Sequence, residues 1–349
     1  MRVIFTTIQY YPEALKMLEL TLKSFFVFNK DFDFKVYCLD NSKDKFEEYF
    51  KDSKRSKYID KDSKRSIYID KDSKRSKYID LERLEFINFK DGTKWNNYLT
   101  RIENGDLTDL ERKNILRSDD SLFSFNINLT ISKLEIIDLL LKDYEIVIAS
   151  DIDIVFVDSL ENPLNKFLRS GKFLGSTREY KGACNFYANA GFWVFNKSKK
   201  EVENIFDGCV NLGNSDLIWK TYGRGLQFPE QDLLSILLNS KYEIPEIYAP
   251  IFHSDFRDFE NACLIHYAGK EYKYFIGKLC YEKLVFPRFS ITLKHCKEFY
   301  QKVADLLEVE IQTKFLDIKI QQNILAKKRI IMTLKRHFSR IKQKRCLIY

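Results

Sequence analysis

The chain has 349 residues, 45% hydrophobic and 15% aromatic, enough to fill one large or two modest cores. Its net charge is +8, but nine Lys/Arg and no acid lie in 324–349 and eleven Lys/Arg against six Asp lie in 51–80, which leaves the rest at −6. A mildly acidic body with two basic appendages argues against a nucleic-acid partner, and the lack of 18 consecutive apolar residues argues against a transmembrane helix.

In chain order, residues 2–8 read as a first strand rather than a secretory leader, and 12–28 as a helix with Pro12 in its first turn. A strand at 34–39 follows, then Phe46-Glu47-Glu48-Tyr49-Phe50, a short helix leading into a repeat. Residues 51–80 are three near copies of Lys-Asp-Ser-Lys-Arg-Ser-Lys-Tyr-Ile-Asp, with Ile67 where the outer copies have Lys57 and Lys77. A ten-residue period is too short for helical-pair solenoids and carries few apolar residues, so it reads as a surface insertion. A strand at 84–88 comes next, then a helix at 129–142, where Leu129, Ile131, Leu134, Ile137 and Leu141 keep a mostly 3.6-residue spacing. Strands at 144–149, 172–176 and 192–196 and helices at 198–207 and 230–240 complete an alternation that predicts an α/β fold around a largely parallel sheet. The seven cysteines (Cys38, Cys184, Cys209, Cys263, Cys280, Cys296, Cys346) are odd in number and form no C-x-x-C pair. A disulfide framework is therefore not expected, and a cytoplasmic location is.

Asp151-Ile152-Asp153-Ile154 closes the apolar run that ends at Ile148-Ala149. On an extended chain, residues two apart lie on one side with Cα atoms roughly 6.6 Å apart, so both carboxylates could share a divalent cation. Asp-x-Asp also occurs at Asp31/Asp33, Asp60/Asp62 and Asp70/Asp72, but in polar or repetitive surroundings. Only Asp151/Asp153 follows an apolar strand, at the carboxyl end where open sheets bind ligands. Gln231 and Asp232 read either as site residues or as caps of the helix that starts beside them.

Three further segments give the pattern a context: Asn189-Ala190-Gly191-Phe192-Trp193, Pro229-Glu230-Gln231-Asp232 and His266-Tyr267-Ala268-Gly269-Lys270. Together with Ser150-Asp151-Ile152-Asp153, their order and spacing resemble glycosyltransferase family 8, in particular its bacterial lipooligosaccharide galactosyltransferases. The resemblance covers most of 1–275 outside the insert. It implies a GT-A (Rossmann-like, nucleotide-diphospho-sugar transferase) domain over 1–275 interrupted by 51–80, a helical region at 276–323, and a basic tail at 324–349. The activity implied is a retaining transfer of galactose or glucose from a UDP-sugar to a glycan or glycolipid acceptor.

Carried over residue by residue, Asp151, Asp153 and His266 match the family's ligands for Mn2+ or Mg2+. Gly269 and Lys270 fall at the diphosphate, although the family's lysine position, three residues after the glycine, is Tyr272 here. Asn189 and Ala190 would lie near the sugars, the small Ala190-Gly191 pair permitting close approach of a ring. Glu230, where the galactosyltransferases have aspartate, would accept sugar hydroxyls, with Gln231 beside the anomeric carbon. Lys133 stands where related enzymes place a donor-facing arginine, and Thr6 and Thr7 match the nucleotide-binding loop by position. The tail places Ile331, Leu334, Phe338 and Ile341 on one stripe and Lys328, Lys335 and Lys342 on another, as expected of a basic amphipathic helix lying on an anionic inner-membrane surface. Two other classes fit the aspartate pair alone: a metal-dependent phosphohydrolase and a non-catalytic nucleotide-sugar or membrane-binding module.

Overall fold

A computed structural model describes residues 1–52, 79–90, 92–115, 120–178, 188–223, 225–226, 228–249 and 261–266. By internal packing the chain divides into Met1–Gly277 and Lys278–Tyr349, and every described residue belongs to the first. Most of the repeat and the basic tail lie outside the described residues.

The strands are β1 (Arg2–Ile8), β2 (Asp33–Cys38), β3 (Leu84–Asn88), β4 (Ile146–Ser150), β5 (Ile154–Phe156), β6 (Leu174–Arg178), β7 (Ala188–Asn196), β8 (Lys241–Glu243), β9 (Ile247–Tyr248) and β10 (Leu264–His266). Seven of them form one sheet in the order β3-β2-β1-β4-β7-β6-β8, and β5-β10-β9 form a second, small one. From β3 to β4 all neighbours run parallel; β7 is antiparallel to both β4 and β6. The expected α/β architecture is present, with strand starts and ends within two residues of expectation except β7, which begins four residues earlier.

The helices are α1 (Pro12–Phe28), α2 (Lys43–Asp52), α3 (Lys94–Glu103), α4 (Asp109–Ile115), α5 (Asp120–Asp143), α6 (Glu161–Arg169), α7 (Ile205–Gly213), α8 (Leu217–Tyr222) and α9 (Pro229–Leu237). Strand alternation divides the core between the two faces of the sheet. Val3, Phe5, Val147, Ala149, Trp193 and Phe195 face α5 and its Ile131, Leu134, Ile137 and Leu141. Ile4, Ile8, Ile146, Ile148, Phe192 and Val194 face α1 and its Leu18, Leu22 and Phe25. Phe25 centres an aromatic group, with ring centroids 5.1 Å from Phe34 and 5.2 Å from Phe156, and so ties α1 to β5. Edge-to-face pairs of this kind add about 0.5–1.5 kcal/mol each beyond area burial.

The helix expected at 198–207 is not there. Lys197–Lys199 form a single 3-10 turn, made by the Asn196 side chain accepting from Ser198 N at 3.2 Å. The α-helix begins only at Ile205, where Asn204 accepts from Asp207 N at 2.8 Å and Asp138 of α5 accepts from Ile205 N and Phe206 N at 2.9 and 2.8 Å. The polar stretch Lys199-Lys200-Glu201 carries no apolar face, so the strongest cap downstream sets the start.

The insertion leaves the fold after α2 and returns before β3. Arg83 fastens the return: Nε donates to Asp80 at 2.6 Å and Nη1 donates to the carbonyl oxygens of Asn29 and Phe32 at 3.3 and 3.1 Å. Its guanidinium also lies 5.0 Å from the Phe26 ring centroid.

Candidate metal centre

β4 delivers Asp151 to the carboxyl edge of the sheet, but the chain does not stay extended through Asp153. Residues 152–153 form a turn between β4 and β5. The same-side argument for an extended strand therefore does not apply; the turn itself brings the carboxylates together. Thr21 of α1, wholly buried, holds that turn: its hydroxyl reaches the carbonyl oxygens of Ile152 and Ile154 at 2.8 and 2.9 Å. Ser24, one turn on, accepts from Phe156 N at 3.1 Å.

β10 supplies the third candidate ligand. It pairs antiparallel with β5, matching His266 to Ile154, so the imidazole arrives beside Asp153. Its Nε2 lies 3.4 Å from Asp153 Oδ1 and 3.6 Å from Asp151 Oδ2. One ligand atom from each of Asp151, Asp153 and His266 lies within 4.8 Å of the others, the one such grouping of acid, thiol and imidazole side chains among the described residues. A divalent cation held at roughly 2.1 Å from each ligand needs ligand atoms about 3.0–4.2 Å apart. The two measured separations fit. The side chains of Asp153 and His266 are 1% and 4% exposed, whereas that of Asp151 is 30% exposed, so the cluster opens to solvent on the Asp151 side.

Two carboxylates this close together, one of them buried, are costly unless compensated. Here the compensation comes from Lys133 and His266. Burial alone lowers the His266 pKa; the hydrogen bonds and charges of Asp151 and Asp153 outweigh it and hold the imidazole at about 9. Lys133 on α5, itself buried, pairs with Asp151 Oδ1 and donates to the Ala190 carbonyl oxygen at 3.3 Å. Asp151 thus offers one oxygen to Lys133 and turns the other towards His266.

The segment Asn189–Gly191 on β7 connects these groups. Gln231 of α9 accepts from Ala190 N at 2.7 Å through its side-chain oxygen. Asn189 Oδ1 accepts from Gly191 N at 2.9 Å, and Gly191 O accepts from Asp151 N at 2.8 Å. Asp232 caps α9, accepting from Phe228 N at 3.1 Å, while Gln231 reaches across to β7 instead. Glu230 is buried at the first turn of α9.

Thr6 and Thr7 lie within β1 rather than in a loop, both buried. The pairing of Phe5 with Ala149 sets Thr7 level with Asp151, near the same sheet edge. Gly269 and Lys270 lie outside the described residues. Sequence reasoning missed Thr21 and Ser24, for which two small polar residues on the apolar side of α1 are the only signal. It also assigned the space beside Gly191 to a sugar; that space holds the His266 ring, which a Cβ on Gly191 would meet at 1.9 Å.

No family model matches the chain. No curated protein is similar to it in sequence at a significant level. Solved structures are similar in fold. An active-site mutant of LgtC superposes with a TM-score of 0.50 at 15% identity, over 87% of this chain and 96% of that one. The galactosyltransferase LgtC in complex with donor and acceptor sugar analogues gives 0.48 at 14% identity, over 91% and 99%. Mouse xyloside xylosyltransferase 1 gives 0.47 at 9%, over 76% and 96%. What the first likeness establishes is the architecture: the chain has the GT-A fold of glycosyltransferases.

Proposed function

We propose that this protein is a metal-dependent retaining glycosyltransferase that moves a hexose, galactose or glucose, from a UDP-sugar to a surface glycan such as lipooligosaccharide. One observation carries the reading: Asp151, Asp153 and His266, from three separate strand ends, converge at the carboxyl edge of a GT-A sheet. These three side chains would hold Mn2+ or Mg2+. The bound metal supplies Lewis acidity, neutralising charge that builds on the departing nucleoside diphosphate.

The remaining residues bind and orient. Thr7, near the end of β1 and level with Asp151, faces the nucleoside, while the neighbouring Thr6 side chain turns to the other face of the sheet and serves only to support that edge. Lys133 pairs with Asp151 on the side facing the donor, and Gly269 with Lys270 adds backbone room and charge at the diphosphate. Asn189 and Ala190 border the sugars, and Glu230 accepts hydrogen bonds from donor hydroxyls. An amide is a poor nucleophile, and the Gln231 oxygen already accepts from Ala190 N. Gln231 therefore orients the donor while the acceptor attacks from the leaving-group side. The basic tail holds the enzyme to the cytoplasmic face of an anionic inner membrane.

The test is a panel of UDP-sugars incubated with the full-length protein, with and without Mn2+, with products read by mass spectrometry. The expected result is metal-dependent release of UDP from one hexose donor. Phosphate release from simple monoesters would replace this reading with a phosphohydrolase, and tight donor binding without turnover would replace it with a binding module.

A further inference from the structure

Gly191 lies on β7 one residue beyond Phe192, which pairs with Ser150. It therefore sits opposite Asp151, and its carbonyl oxygen accepts the Asp151 N–H at 2.8 Å. From β10, the His266 ring arrives over the same residue. A Cβ on Gly191 would stand 1.9 Å from Cε1, 2.3 Å from Nδ1 and 2.4 Å from Nε2 of that ring. Carbon atoms in ordinary contact stay about 3.5–4.0 Å apart, so the ring and a side chain at 191 exclude one another. Gly191 has no positive φ among the glycines that do, so its backbone does not require glycine; the space does.

The ring has little freedom to give way. His266 is paired in β10 and 4% exposed, and its Nε2 is set 3.4 Å and 3.6 Å from the two carboxylates. Clearing a Cβ needs a displacement of more than about 1 Å, which is enough to take Nε2 out of ligand range. We propose that Gly191 is a positioning residue for the metal centre: its missing side chain is the seat of the His266 imidazole, and it fixes where the nitrogen ligand stands against Asp151 and Asp153. The sequence Asn189-Ala190-Gly191 then joins three parts of the site. Ala190 meets Lys133 and Gln231, while Gly191 meets Asp151 through its carbonyl and His266 through its bare Cα.

This inference rests on the metal-centre reading above, and the experiment separates the two. MnCl2 is titrated calorimetrically into full-length wild type, Gly191→Ala, His266→Ala and the double variant. Gly191→Ala is expected to bind Mn2+ about 10–100-fold more weakly, the range for losing a residue that orients a metal ligand. In the His266→Ala background, adding Gly191→Ala should change nothing further, because the ring it would strike is gone. Wild-type affinity in Gly191→Ala overturns the proposal, as does an equal loss from Gly191→Ala with and without His266, which marks a strand defect. Should Gly191→Ala prove insoluble, recovery of soluble protein in the double variant supports the proposal and failure of both overturns it. Unchanged Mn2+ binding in His266→Ala and Asp153→Asn would instead remove the metal centre itself.

Discussion

Titrating Mn2+ into the metal-free protein is expected to release a proton from His266 and to be pH dependent through the neutral range. The imidazole stands at about 9, above its ordinary 6.5, because two carboxylates outweigh the opposing effect of burial. Below pH 9 a cation must displace that proton before the nitrogen can bind. Affinity then rises about tenfold per pH unit up to pH 9 and levels off; at pH 7 the proton weakens binding by about 100-fold relative to the deprotonated site. Stability of the metal-free fold moves the other way. The folded value is raised above the unfolded one, so the protonated ring's contribution, on the order of 3 kcal/mol, is fully present below pH 6.5 and is lost as pH rises through 9. Calorimetry at pH 7, 8 and 9 in two buffers of different ionisation heat reads affinity and proton release together. Thermal melts in EDTA over the same range read stability. His266→Gln should abolish both slopes. An affinity that stays flat from pH 7 to 9, or a slope that survives in His266→Gln, would refute the reasoning.

Three further outcomes are expected. Asp153→Asn keeps the shape of a buried side chain but removes its charge, and metal-dependent donor turnover should fall at least ~100-fold; near-normal turnover excludes Asp153 as a ligand. Thr21→Val deletes the hydroxyl that holds the Ile152 and Ile154 carbonyls. It should lower stability to urea by about 1–3 kcal/mol, and an unchanged midpoint rules out the clamp. Deleting 325–349 should free the protein from anionic vesicles while sparing transfer to soluble acceptors; unaltered co-sedimentation contradicts the tail's assigned role.

The elements legible in the sequence were those with a sustained pattern. β1 and β4 are apolar runs, and α5 repeats Ile131, Leu134, Ile137 and Leu141, so their faces follow from spacing alone. β5, β9 and β10 are two or three residues long and have no period to read. Yet β5 and β10 are what carry His266 to Asp153, so the residue types of the centre were visible while the strands that assemble it were not. The same holds for Gly191. A glycine in a strand announces a close approach, but nothing local says whether a ligand or a distant histidine fills the space. Helix α7 began late because its start is set partly by Asp138, a carboxylate on another helix.

The fastening of Arg83 has a consequence for how this chain can vary. The decapeptide array follows α2 and precedes β3 in the chain, and β3 is separated by β2 and β1 from β4, which leads into Asp151. Closing a flexible loop of twice the length costs only ~0.6 kcal/mol more. Copies of a ten-residue unit gained or lost would thus fall within the tolerance of the fold, since Arg83 pins the re-entry point to Asn29, Phe32 and the aspartate that closes the last unit, whatever the number of units before it. Lineages could change the number of units while the turn that carries Asp151 and Asp153 stays under separate selection.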